Sequence, residues 1–308
     1  MAEITCAFSP AELLHLASLA GGEWSAVSPL HAMAAAPADA ARLQAAGLVG
    51  GGQLTPAGIE VAELLARPDA FGALVVVAEG DYQHAVYSAG GRHLALTSYG
   101  DEFLLQYPAP DAEAVLRAAL GAGESVAAEF DTALPPAQAV ALLAAVDLQR
   151  RAHLAAMLDA ADAPAPLLAA DVAAWAAAPA DSSQWLTAVV RDLPGCAVGE
   201  ADAARAVDAL VTQGILARDG SALAAGDVVD AMARAFVVLK SLIRVRAARA
   251  AGNEAVSVDL RAAQGLGGEV LLWESDGAHV QMHALAADDL VALAIPLLDG
   301  TAEIAPAS

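Results

Sequence analysis

The sequence predicts an α+β fold: internally duplicated, with a single antiparallel β-sheet and two helical (winged-helix-like) bundles in a pseudo-twofold arrangement. Two observations predict it. The first is a repeat. Residues 94–120 and 271–297 align without a gap at an offset of 177, placing Leu94 on Leu271, Ser98 on Ser275, Gly100 on Gly277, Phe103 on Val280, Leu105 on Met282, Asp111 on Asp288 and Leu120 on Leu297. Apolar residues alternate on both sides of each glycine, the period of a half-buried strand, and helical spacing follows. Each copy therefore reads strand, tight turn, strand, helix, with an Asp at the helix N-cap and acid in its first turn. The second is that the helical stretch before the strands also repeats. LeuGlnAlaAlaGly at 43–47 followed by Leu48-Val49 is mirrored by AlaLeuValThrGlnGly at 209–214 followed by Ile215-Leu216.

The elements follow in order. Ser9-Pro10-Ala11-Glu12 is a capping box with Pro at the first helical position, opening a helix to about Ala20. A second helix is expected over Pro29–Ala46, stopped by Gly47, and a third runs from Thr55-Pro56 to Ala66. Four strands come next, Ala73–Glu79, Gln83–Ser88, Arg92–Ser98 and Glu102–Tyr107, joined by Gly80-Asp81, Ala89-Gly90-Gly91 and Gly100-Asp101. Such short links make the sheet antiparallel. The helix at Asp111–Leu120 closes the first half, and residues 121–134 are a Gly- and Ala-rich connection.

Pro135-Pro136 starts a long helix to about Ala161, whose Val140, Leu143, Val146, Leu154, Met157 and Leu158 form one core-facing stripe. Asp147 and Arg150 share that stripe at a spacing of three, which allows a structural ion pair. Helices at Leu167–Ala178, Ser183–Asp192, Glu200–Gln213 and Asp227–Phe236 follow. Strands at Leu239–Ala247, Ala255–Asp259, Glu269–Glu274 and His279–Ala284 and a helix at Asp288–Leu298 complete the second half. The segments are 1–124 (first repeat), 125–162 (connecting helix) and 163–308 (second repeat). Two isolated meanders would each expose two edges; joined, they make one continuous sheet.

Composition excludes several functions. The 308 residues carry a net charge of −22, and residues 1–154 and 155–308 contribute −11 each. Two acidic halves with a single lysine, Lys240, oppose nucleic acid and anionic membrane surfaces as partners. Cys6 and Cys196 form neither a metal knuckle nor a disulfide framework. The N-terminal stretch contains Glu3 and lacks a basic region, so no secretory signal is expected, nor is any apolar run long enough to span a bilayer. A cytoplasmic protein, monomer or homodimer, is expected.

No motif carries chemistry. GlyGlyGlyGln at 50–53 lacks the lysine of a phosphate loop, and GlyLeuGlyGly at 265–268 leads into a strand. His279 and His283 share a strand face about 13 Å apart, too far for one metal. His84 and His93 lie in adjacent strands and are expected to face each other, without a third ligand. No catalytic residue, cofactor or metal is assigned. Protein recognition remains, and Tyr82, Tyr87, Tyr99 and Arg92 are the candidate contacts, since Tyr and Arg anchor interfaces and only 4% of residues are aromatic. Trp273 aligns with Leu96 and is expected in the core.

The run LeuGlnAlaAlaGlyLeuVal at 43–49, LeuThrProAlaGly at 54–58, a helix ending AlaArgPro at 66–68 and the meander that follows resemble the EspG family of type VII (ESX) secretion chaperones. Residues 240–284 and the closing helix are similar to that family's C-terminal sheet and helix. The resemblance implies one antiparallel sheet between two helical bundles. It also implies binding of a helical secretion substrate, a PE–PPE-type pair, kept soluble for export. The departure is the loop SerAlaGlyGlyArg at 88–92, where the family has a long charged loop. The sequence reading is a non-enzymatic adaptor or chaperone for a helical protein partner. The alternative is a winged-helix-derived transcriptional regulator or an acidic DNA mimic.

Overall fold

The computed structural model describes residues 3–34, 36, 38–78, 81–121, 130–160, 164–178, 185–252 and 254–304. Along the chain run β1 (Ile4–Phe8), α1 (Pro10–Ala20), a 3-10 turn (Pro29–Ala32), α2 (Ala40–Ala45), β2 (Val49–Gly50), β3 (Gln53–Leu54) and α3 (Pro56–Ala66). The first meander is β4 (Ala70–Val77), β5 (Asp81–Ala89), β6 (Arg92–Tyr99) and β7 (Glu102–Tyr107), closed by α4 (Ala112–Leu120). Then come β8 (Asp131–Leu134), α5 (Pro136–Leu158), β9 (Leu167–Leu168), α6 (Ala169–Ala177), α7 (Leu186–Arg191), α8 (Glu200–Thr212), β10 (Leu216–Asp219), β11 (Ala222–Ala225) and α9 (Asp227–Ala235). The second meander is β12 (Leu239–Ala251), β13 (Glu254–Gly265), β14 (Glu269–Ser275) and β15 (Val280–Ala286), closed by α10 (Ala287–Leu298).

Ten strands form one sheet in the order β1-β7-β6-β5-β4-β12-β13-β14-β15-β8, so the two meanders join edge to edge as expected, and they do so through their first strands, β4 and β12. The repeat extends to register. Ser98 pairs with Phe103 and Leu96 with Leu105; at the same offset, Ser275 pairs with Val280 and Trp273 with Met282. Gly100 and Gly277 hold positive φ at the two turns, a conformation open to glycine without Cβ strain. Trp273 is fully buried, as its alignment with Leu96 implies.

The chain divides into two compact units, Met1–Gly121 with Ile243–Leu260 and Val291–Ser308, and Ala122–Leu242 with Arg261–Leu290. In the first, Leu13, Leu16, Leu43, Val61, Leu64 and Leu65 of the helices pack with Leu94, Leu96 and Leu105 of the sheet. The opposite sheet face takes the end of α10. A Cβ on Gly72 would stand 2.2 Å from the Leu297 carbonyl oxygen, so only glycine permits that approach. In the second unit α5 is the central element, and residues from α6 to α9 and from β14 and β15 pack with it.

Several elements differ from expectation. The helix expected over Pro29–Ala46 is a 3-10 turn and the six-residue α2, which Asp39 starts anew by accepting the Ala41 N–H at 2.9 Å. Strand β1 arises from a stretch to which no element was assigned and β8 from the expected connection; both are short sheet edges. Strands β12 and β13 run longer than expected, 13 and 12 residues. Helix α10 begins at Ala287, so Asp288 lies inside its first turn and Asp289 accepts the Ala286 N–H at 3.3 Å. Expected features at Glu79, Gly80, Ser183, the 122–129 connection and the segment boundaries at 124–125 and 162–163 fall outside the described residues.

Candidate functional site

Helix α5 has 23 residues, about 34 Å at 1.5 Å per residue. Its neighbours α6, α7, α8 and α9 have 9, 6, 13 and 9 residues. Residues Ala139 to Asp147 of α5 are buried without a break, as an all-round packed helix must be.

Asp147 and Arg150 fix the helices around it. Asp147 Oδ1 accepts from Arg150 Nη1 at 2.7 Å and from the Leu186 N–H at 3.1 Å; Oδ2 accepts from the Thr187 N–H at 2.9 Å and from the Thr187 hydroxyl. The carboxylate thereby caps the start of α7 from another helix. Arg150 Nε donates to the Phe236 carbonyl at the end of α9, and its guanidinium lies 5.6 Å over the Trp185 ring. Acid at a helix start and base at a helix end both match the helix dipole. Burial raises the Asp147 pKa, and Arg150, Thr187 and Leu186 oppose that rise. The expected ion pair is thus a packed structural device.

The same contacts set the course of α9. Arg150 meets Phe236 at its end, and His153 Nε2 lies 2.8 Å from Asp230 Oδ1 nearer its start. At the end of α5 the packing stops: Met157 is 72% exposed and Leu158 86%. Met157 and Leu158 were expected in the core stripe; α5 carries that stripe past the end of its short partners.

The four contacts expected from sequence lie on β5 and β6 in the first unit, and strand alternation divides them between two faces. Tyr82 and Tyr99 share the face of His84 and Thr97. Tyr87 and Arg92 share the opposite face with Leu94. Tyr99 is 73% exposed at its hairpin. Tyr82 lines an apolar cleft of about 490 Å³ with Val76, Ala114, Val115, Ala118 and Ala119. Tyr87 stacks on Phe71 with ring centroids 6.0 Å apart, and burial raises its pKa. Arg92 pairs with Glu63 at 3.3 Å.

The histidines do not face each other. His84 is opposite Thr97 and His93 opposite Ser88, and each ring sits 2.8 Å from that hydroxyl. His84 is 1% exposed, and burial lowers its pKa to about 4. His279 precedes β15, while His283 lies 3.1 Å from Asp131. Among the described residues no group of three His, Cys, Asp or Glu is placed to hold a metal ion. Ser88 and His93 line a cleft of about 560 Å³. Its groups are spent on the end of α10, where Ser88 donates to the Asp299 carbonyl at 3.4 Å and Arg249 to the Gly300 carbonyl at 2.7 Å. Burial pushes the Cys196 thiol up to about 11, far from a reactive thiolate. No described helix is long and apolar enough to cross a membrane.

No protein-family model matches the chain, and no curated protein matches it. Among solved structures the fold is similar to that of the Mycobacterium tuberculosis type VII secretion system chaperone EspG5, solved in complex with the PE25–PPE41 dimer. The likeness covers 98% of this chain and 97% of that one, at a TM-score of 0.50 and 11% identity.

Proposed function

We propose that this chain is a non-enzymatic adaptor or chaperone of the cytoplasm that binds a helical protein and keeps it soluble. The observation that carries the reading is the bare apolar end of α5, with Met157 and Leu158 exposed beyond a helix interior that is otherwise packed. The likeness to EspG5, a chaperone solved with a bound protein dimer, supports it. A type VII secretion substrate is the partner that likeness suggests. Tyr82 and Tyr99, on one sheet face, are the second contact proposed; Tyr87 and Arg92, on the other face, complete the set of four.

The test is affinity capture from native cytosol with the tagged chain, its Leu158→Asp variant and a Tyr82→Ala/Tyr99→Ala variant. The reading expects one helical protein near one-to-one with the parent chain and its loss with Leu158→Asp. Equal recovery by the parent and Leu158→Asp rejects the α5 end as the site. Equal recovery by the tyrosine variant rejects the second contact alone.

A further inference from the structure

We infer that the first unit holds a second docking place, a cleft at the end of α1 that receives a short helix of a protein partner, with aliphatic side chains for Leu19, Leu54 and Ile59 and a carboxylate for Arg67. The inference rests on the adaptor reading for the kind of partner, a helical protein, and adds a second contact and its chemistry. The cleft has a volume of about 400 Å³ and is lined by Leu19 of α1, Leu54 of β3, Ile59 and Glu63 of α3, and Arg67. Leu19 is 38% exposed and Ile59 44%. Glu63 already pairs with Arg92 at 3.3 Å. Arg67 pairs with no carboxylate among the described residues. Its guanidinium lies over the turn after α1, where a Cβ on Gly22 would stand 2.7 Å from Nη1. The cleft is therefore apolar, with one unanswered positive charge.

The internal repeat identifies what fills this place in the second unit. Phe8 pairs with Phe103 and Leu134 with Val280, and Phe103 and Val280 are equivalent, so Phe8 answers to Leu134 and Pro10 of α1 to Pro136 of α5. Helices α3 and α9 start from equivalent caps. The Thr55 N–H donates to the Leu48 carbonyl at 3.0 Å, and a Cβ on Gly226 would stand 2.7 Å from the Ile215 carbonyl oxygen. Ile59 thus answers to Asp230. Helix α5 has 23 residues against 11 in α1, so it runs on for 12 more. Gln149 and His153 of that continuation reach Asp230 at 3.3 and 2.8 Å. In the first unit α1 stops at Ala20, and Ile59 stays exposed. The missing occupant is accordingly a helix laid in a groove. Ile59 in place of Asp230 asks it for an aliphatic face, and Arg67 asks it for acid.

The experiment uses three fluorescent designed helices: one with leucines on one face and glutamate beside them, one with glutamine for glutamate, and one with serine for leucine. Binding to the full chain is followed by anisotropy at about 0.15 M salt. The glutamate helix is expected to bind about threefold tighter than the glutamine helix, as one exposed ion pair allows. The serine helix is expected not to bind. Arg67→Gln removes the preference, and Ile59→Asp weakens both leucine helices at least about tenfold. Leu158→Asp leaves all of this unchanged. A preference that persists in Arg67→Gln overturns the role of Arg67. Absence of binding, or indifference to Ile59→Asp, overturns the site. Loss of binding in Leu158→Asp moves the helices to the α5 end, which overturns this site and leaves the adaptor reading standing. Self-association in sedimentation that Ile59→Asp abolishes makes a second copy the occupant and overturns the choice of partner.

Discussion

In the first unit α1, α2 and α3 have 11, 6 and 11 residues, and their apolar faces close on one another and on β6 and β7. In the second, 23-residue α5 is surrounded by shorter helices. The hairpins that follow the two modules keep a common register, so the repeat is tight in the sheet and loose in the helices. The long helix needs its own anchoring, supplied by Asp147 and Arg150, and it leaves an apolar end outside. The candidate site thus lies where the second copy has acquired something the first lacks.

Breaking the anchor gives the largest expected effect. Asp147→Ala leaves Arg150 buried without its partner and α7 without a cap, at a cost of about 3–5 kcal/mol in urea unfolding. A double Asp147→Leu/Arg150→Met variant removes both charges and loses less. If the two variants lose the same, the uncompensated charge is not the cause.

Acid acts on the first unit through His84. Its folded pKa of about 4 lies below the usual 6.5, so the unfolded chain binds the proton first as pH falls. The stabilisation is complete above pH ~6.5 and is lost toward pH 4, about 3 kcal/mol in all. Unfolding measured across that window is expected to slope less in His84→Gln, by up to about 1.4 kcal/mol per pH unit. An unchanged slope means that His84 does not titrate on unfolding.

A smaller loss separates the helix starts of the two modules. Thr55 Oγ1 accepts the Gly58 N–H at 3.1 Å, while Gly226, at the start of α9, offers no side chain. Thr55→Ala is expected to cost about 1 kcal/mol, read as a lower Tm. An unaltered Tm means the hydroxyl adds nothing to α3. Smallest of all, Leu158→Asp is expected to shift stability by no more than about 0.5 kcal/mol, because the side chain is 86% exposed. A large loss would show that Leu158 belongs to the core after all.

The register of the hairpins was legible at residue level, because glycine turns and alternating apolar residues are local signals. The burial of Trp273 followed from the same alignment. The ion pair of Asp147 and Arg150 was legible as a pair, but its caps on α7 and α9 join residues up to 86 positions apart. The α5 end was misplaced because a helical wheel records direction and not the length of the neighbours. The lengths of 23 against 9 and 6 residues held the missing signal. The tyrosines were chosen by residue type, and only the parity of β5 and β6 shows that they divide between two faces.

Arg42 gives a last consequence. From α2 it donates to the backbone carbonyl of Ala7 on β1, the outermost strand, and pairs with Glu102 at 2.6 Å and Glu12 at 3.5 Å. A bare outer strand is a template on which further chains can add, and repetition of that step builds fibrils. Here a guanidinium occupies an acceptor that an incoming strand would use. This one side chain thereby guards its edge of the sheet against polymerising.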